Sequence, residues 1–293
     1  DTSAVEIKVN DDGFYSLIIG ATDMGTGCDT ILAQMAAECL ECKPEEVVVF
    51  GVDTDISPYD CGSYASSTTY VTGQAVIKTC ESLRKKICER GAEYLGCKPE
   101  DVDFDGKYVT ELATGKQISR SQIGNNVMCF SNAPLSASEA FSSPVSPPPF
   151  MVGMAEVEID KETGVLELID YVAVVDCGTV INPNLARVQV EGGIAQGIGM
   201  ALYEDIVYSE KGKNFSNSLM QYKIPTRLDV GTIRVEFESS YEPTGPFGAK
   251  SIGEIVINTP SPAIGNAIQN ATGVIIRELP MTAEKIYRGI SGR

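Results

Sequence analysis

Histidine is absent from the 293-residue sequence. Serine–histidine and cysteine–histidine nucleophilic catalysis are therefore closed to this chain, as is imidazole ligation of a metal. Acid–base work must fall to Glu, Asp, Lys, Tyr or Cys, and any transition metal must be held by a cofactor or a partner chain. Positive charge is scarce as well: 23 basic against 40 acidic side chains give a formal charge of -17. Such a surface repels phosphate backbones and anionic membranes, so neither nucleic acid nor membrane is expected as a partner. Amides at a helix N-terminus can still hold a small phosphate whatever the total charge. No run approaches the roughly 20 apolar residues that span a membrane. The cysteines number 9 and have no regular spacing, which fits reduced thiols in a cytoplasm rather than a secreted disulfide framework. Cys39-Leu40-Glu41-Cys42 has the spacing of a dithiol or zinc pair, but no second pair accompanies it.

What is present reads as an ordinary globular chain, with 43% hydrophobic and 22% charged residues. Its length calls for two domains or subdomains. The opening "DTSAVEIKVNDDG" has neither a signal-peptide nor a transit-peptide pattern and starts without methionine, so a processed, trimmed or excised piece is expected. "AVEIKVN" and "FYSLIIG" alternate as strands around a "DDG" turn. A helix is expected from about Cys28 to Leu40, then a buried strand in "EEVVVFGVDTD", a long hydroxyl-rich loop, and a second helix from about Gln74 to Tyr94. "ECKPEEVVVF" and "GCKPEDVDF" repeat the unit helix, CKPE, strand, which suggests a duplicated α+β unit. The proline- and serine-dense stretch 133–150 is the best boundary, dividing the chain into 1–145 and 146–293. Beyond it come a hairpin with "DKETG" as the turn, a helix opened by Asn182 and Pro183, a strand near Ile233 to Phe237, and two closing helices.

Four segments carry candidate chemistry. "GATDMGTG" lacks the Lys and Ser/Thr of a nucleotide-hydrolysing phosphate loop. Unblocked amides at Gly25, Thr26 and Gly27 before a helix would suit a phosphate or a polar heterocycle, and a plain glycine turn reads equally well. "GSYASSTTYVTG" sets hydroxyls, among them Ser66, Thr68 and Thr69, ahead of another helix, where they would cradle a phosphorylated ligand or form a serine-rich connector. Gln196 in "GGIAQGIGMA" stands among small residues that permit either close approach of another molecule or helix packing. "GPFGAKSIGE" ends on Glu254, a possible proton acceptor behind a glycine-rich ribbon, or a surface turn with a charged tip.

Taken in order, "DMGTG", "SYASSTTYVTG", "DCGTVINP", "QVEGGIAQGIG" and "GAKSIGE", with the tail "LPMTAEKIY", closely resemble the molybdopterin-binding subunit of the molybdenum hydroxylases, the xanthine oxidase and aldehyde oxidoreductase family. The resemblance covers nearly the whole chain and implies an α+β fold of two related subdomains with mixed sheets. It implies that Glu254 is the active-site carboxylate, taking the proton of the attacking hydroxyl, in an apolar, buried setting. Gly25, Thr26 and Gly27 would lie against the pterin, with Thr26 standing where the family usually has glutamine. Ala65 and Ser66 would approach the pterin and the metal's ligands, Thr68 and Thr69 the phosphates, Gln196 the pterin, and Thr179 and Asn182 the nucleotide. Lys250 and Ser251 join this cofactor set. No side chain would ligate molybdenum directly, because the pterin dithiolene holds it.

The implied cofactor is molybdopterin in its cytosine dinucleotide form, with a terminal sulfido or selenido ligand on the metal. The implied partners are a subunit or domain carrying the first molybdopterin-binding half, and Fe–S and FAD subunits that take the electrons. The implied substrate is an N-heteroaromatic ring, nicotinate-like or purine, hydroxylated with oxygen from water in the cytoplasm. In extent the chain is similar to the medium molybdopterin subunit of nicotinate dehydrogenase, in which the halves are separate chains. An excised fragment of an aldehyde or xanthine dehydrogenase and a non-catalytic molybdopterin storage or assembly module are the alternatives.

Overall fold

The computed structural model describes residues 1–131 and 133–292. The fold is mixed α+β and divides into two compact units, Asp1–Pro147 with Tyr241–Ser251, and Pro148–Ser240 with Ile252–Arg293.

In the first unit, β1 (Thr2–Val9) and β2 (Tyr15–Ile19) form an antiparallel pair, with Val5 opposite Ile19 and Val9 opposite Tyr15. Alternation buries Val5, Ile7, Val9, Tyr15, Leu17 and Ile19 on one face, as the period of two requires. The helices α1 (Cys28–Cys39) and α2 (Gly73–Leu95) supply Leu32, Met35 and Ala36, and Val76, Cys80, Leu83 and Ile87, to the same core. β3 (Val47–Phe50) pairs in parallel with β2 as the sheet edge. The expected buried strand is thus shorter, and Val48 and Phe50 are exposed, because alternation puts them on the face opposite the buried Val47. A small antiparallel sheet of β4 (Val102–Phe104), β5 (Tyr108–Glu111) and β6 (Gln117–Ser119) follows. It leads into α3 (Arg120–Phe130), whose capping box pairs Ser119 with Gln122.

The boundary stretch holds a surprise. Its serine-rich part forms β7 (Ser136–Ser142), paired with β1 to give the order β3-β2-β1-β7. Ladder hydrogen bonds are made by the backbone, so a strand low in β-branched residues still closes this sheet.

The second unit is built on β8 (Phe150–Ile159) and β9 (Leu166–Asp176), the expected hairpin, with β10 (Thr232–Phe237) parallel to β9. Tyr171, Ala173 and Val175 face Val190, Ile194 and Ile198 of α4 (Pro183–Leu202) and Ile264 and Ile268 of α5 (Pro260–Thr272) in one core. Thr282 caps α6 (Ala283–Ser291) through the Lys285 amide. Among the described residues no helix is long and apolar enough to cross a membrane.

Candidate functional site

The first glycine loop is already occupied by its own acid. Gly27 opens α1 in the left-handed region without a side chain to cap it. Asp23 does so instead: its Oδ1 accepts from the Gly25 and Gly27 amides at 2.9 and 3.1 Å, and its Oδ2 from the Asp29 amide at 3.3 Å. Partial burial opposes its charge, yet these donors hold the Asp23 carboxyl below its ordinary range. The expected free amides at Gly25 and Gly27 are therefore a correction. A carboxylate fills the helix N-terminus that an external phosphate would have used. Gly25 and Thr26 themselves are exposed, and a Cβ built on Gly25 meets nothing within 4 Å.

Asp23, Cys28 and Asp29 form the one group of three potential metal-ligating side chains among the described residues. Burial first, then the two aspartates, pushes the Cys28 thiol up to about 12, so it stays protonated at neutral pH. The pair at Cys39 and Cys42 makes no disulfide, and all the cysteines are free thiols. Cys39 instead shares a hydrogen bond with the Cys80 thiol, which lowers its pKa.

The hydroxyl-rich loop is wound tightly. Ala65 and Ser66 sit at φ 50° and 56°, a left-handed conformation that costs non-glycine residues about 1–3 kcal/mol and persists where surrounding structure enforces it. Ser67 Oγ donates to the Gly62 carbonyl at 2.7 Å, and Thr68 Oγ1 to Ser63 Oγ at 2.8 Å. Thr68–Thr72 then forms a single π turn, a wide-wound element frequent at functional sites, before α2 begins.

Within this first unit the loop meets part of the late glycine-rich segment. The Tyr70 amide donates to Ser251 Oγ at 3.3 Å, Tyr70 Oη to Thr244 Oγ1 at 2.7 Å, and Gln74 Nε2 to the Thr244 carbonyl at 2.9 Å. A Cβ on Gly73 would lie 2.9 Å from both Met35 Sδ and Pro246 Cγ, so only glycine fits there. Lys250 is buried, and Ser251 half-buried.

In the second unit, Asp176 organises the turn after β9, accepting from the Gly178 amide at 2.9 Å and from Ser240 Oγ at 2.6 Å. Thr179 is half-buried in this turn, and Asn182 Oδ1 caps α4 by accepting from the Leu185 amide at 3.1 Å. Gln196 lies on α4 about 21 Å further along the axis, at 1.5 Å per residue. Asn182 caps the start of this helix and Gln196 lies within its last two turns, so the two do not share one spot.

The small residues of α4 divide by face. Cβ atoms at Gly193 and Gly197 would strike Val256 Cγ2 at 2.1 Å and Pro260 Cγ at 2.6 Å, so these two serve packing. Gly192 has nothing within 4 Å of its would-be Cβ, and Gln196 is exposed one turn on. Gln189, three residues before Gly192, shares that face. Its Nε2 donates to the Gly253 carbonyl at 3.3 Å and tethers the peptide just before Glu254. Glu254 is exposed, and its carbonyl accepts from the Ile257 amide at 3.3 Å as the chain turns into α5. Beside the exposed Glu254, this chain places the Gly253 peptide held by the Gln189 side-chain amide.

Asp23, Asp176 and Gln189 are the organising side chains that motif reading missed. Gln189 had a signal, its helical spacing from Gln196; Asp23 had one in standing two residues before Gly25.

Residues 1–231 match the molybdopterin cofactor-binding domain family. The probable hypoxanthine oxidase XdhD of Escherichia coli K12 is 35% identical over 99% of this chain and 30% of its own length. The 6-hydroxypseudooxynicotine dehydrogenase complex subunit gamma of Paenarthrobacter nicotinovorans is 30% identical over 98% of this chain and 37% of its own. The crystal structure of quinoline 2-oxidoreductase from Pseudomonas putida 86 superposes with a TM-score of 0.89 at 27% identity, covering 100% of this chain and 38% of that one. The chain therefore spans less than two-fifths of the length of these relatives. It belongs to the molybdopterin cofactor-binding domains of the molybdenum hydroxylases, the xanthine dehydrogenase and aldehyde oxidoreductase family.

Proposed function

We propose that this chain is the part of a molybdenum hydroxylase that supplies the base, Glu254, and much of the molybdopterin site. The substrate is an N-heteroaromatic ring such as nicotinate or a purine. Relatives named for hypoxanthine, nicotine and quinoline support that class. The observation that carries the reading is the bare face of α4, where Gly192 leaves room beside Gln196 and where Gln189 tethers the residue preceding Glu254. The donor set fits a metal held by its pterin: there is no imidazole, and the one ligand-like cluster among the described residues already spends both oxygens of Asp23 on backbone amides.

The bound cofactor supplies an electron sink and an oxygen drawn from water. In balance, a ring C–H and water give C–OH, two protons and two electrons. Glu254 accepts one proton at its carboxylate. Gln196 orients the pterin, with Gly25, Thr26, Gly27, Ala65 and Ser66 against it; Thr68, Thr69, Lys250 and Ser251 face the phosphates, and Thr179 and Asn182 the nucleotide. The separation of Asn182 from Gln196 along α4 suits an extended dinucleotide, in the cytosine form. A sulfido or selenido ligand, a second polypeptide portion completing the pocket, Fe–S and FAD partners, and a cytoplasmic setting complete the reading.

A molybdopterin storage or assembly module is the competing reading. Purification of the native complex, with molybdenum analysis and dye reduction by nicotinate, purines and aldehydes, separates them. Metal with turnover of an N-heteroaromatic is expected. Metal without turnover would establish storage, and turnover of aldehydes alone would reject the substrate class.

A further inference from the structure

Between α4 and β10 the chain runs from Tyr203 to Gly231 without a regular element, apart from the isolated bridge Tyr208 to Asn214. Loops beyond about 12–15 residues that lack structure of their own are usually functional or disordered. This one is internally tied. The Phe215 amide donates to the Val207 carbonyl at 2.8 Å, the Tyr222 amide to the Ser218 carbonyl at 2.8 Å, the Thr226 amide to Asp229 Oδ2 at 2.7 Å, and Arg227 Nη1 to the Gly231 carbonyl at 2.9 Å.

So fixed, the loop turns its apolar side chains outward. Leu219, Met220 and Leu228 are 76%, 80% and 93% exposed, and Ile206, Phe215 and Ile224 are exposed too. Scattered apolar residues on a surface need no explanation, but this concentration in one ordered segment marks an interaction site. The segment is also electrically unlike its chain. It carries four basic side chains (Lys211, Lys213, Lys223, Arg227) and four acidic ones (Glu204, Asp205, Glu210, Asp229), within a molecule of formal charge -17. With its own charges balanced, the segment repels an acidic protein less than the molecule's formal charge implies. A membrane is a poorer occupant, since four carboxylates stand among the lysines.

We propose that the loop Tyr203–Gly231 is the docking surface for the polypeptide portion that makes up the remainder of the relatives, more than three-fifths of their length, whether joined to this chain or separate. Relatives of which this chain covers 37% to 39% carry that portion in the same protein. The inference rests on the proposed function for the identity of the partner. Leu219, Met220 and Leu228 are its anchors.

A photo-reactive amino acid in place of Leu219, and separately of Leu228, tests this in the intact native complex. Cross-linking is expected to polypeptide that aligns with the relatives' uncovered portion, identified by peptide mass spectrometry. Cross-links only to a second copy of this chain, only to lipid, or none would overturn it. The double variant Leu219→Glu, Met220→Glu, altering side chains outside the core, is expected to cut the yield of assembled complex about tenfold or more; an unchanged yield contradicts the assignment. Neither readout depends on the base. Absent cross-links with turnover abolished in Glu254→Gln would sink the docking surface alone, whereas normal cross-links with turnover intact in that variant would sink the catalytic reading alone.

Discussion

Arg120 is buried against Tyr15, its guanidinium carbon 4.6 Å from the ring centroid. It donates from Nη1 to the Gly106 carbonyl at 2.7 Å and from Nη2 to Glu46 at 2.5 Å. The Lys43 amide foremost, and then Arg120, hold the Glu46 carboxyl below its ordinary 4.5. A depressed folded pKa contributes stability that is present above the unfolded value and fades as pH falls through the folded one. The wild type's resistance to urea should therefore fall more than that of Glu46→Gln as the pH drops below the ordinary glutamate value of 4.5. Parallel losses in the two proteins would show that Glu46 is not held this way. The twin CKPE units show what single residues reveal and conceal. Gly96 takes the left-handed φ of 77° that ends α2, as glycine should, while at the matching position after α1 Glu41 is forced to 51°. Its carbonyl lies where Gly106 would need a Cβ, at 1.9 Å. No local propensity announces a left-handed glutamate.

At the scale of elements, α4 offers the sharpest contrast, since adjacent glycines do different work. Gly193→Ala drives a methyl into Val256 and should cost about 1–3 kcal/mol in denaturant unfolding. Gly192→Ala meets nothing and should raise stability by about 0.5–1 kcal/mol through helix propensity, yet lower the molybdopterin recovered with the complex. Unaltered cofactor content in Gly192→Ala would remove the bare face from the site. Helical spacing made α4 legible, along with its Asn182 and Pro183 start. It did not tell the packed glycines from the open one, because that depends on Val256 and Pro260, more than sixty positions away. The strand at Ser136–Ser142 was hidden for a related reason: its pairing with β1 uses backbone groups that composition does not encode. The hairpin of β8 and β9 was plain, since turn residues and alternation agreed.

For the whole molecule, the order of motifs identified the family from sequence, and the fold bears it out. The site itself is less fully written in the chain. Asp23 takes the amides at Gly25 and Gly27, and Glu254 is exposed. A lone sequence does not show how its loops will use their own donors. In our account the apolar surroundings of Glu254 come from the portion of the relatives beyond these residues. Under the proposed function, a chain of charge -17 without histidine would serve as a scaffold for metal chemistry held by the pterin, adding the Glu254 carboxylate. The most direct measurement is steady-state turnover of the native complex carrying Glu254→Gln, with molybdenum content determined in parallel. We predict a loss of several orders of magnitude, on the order of 10²–10⁴ for removing a general base, with molybdenum retained; near-normal turnover with metal bound would contradict the role of Glu254.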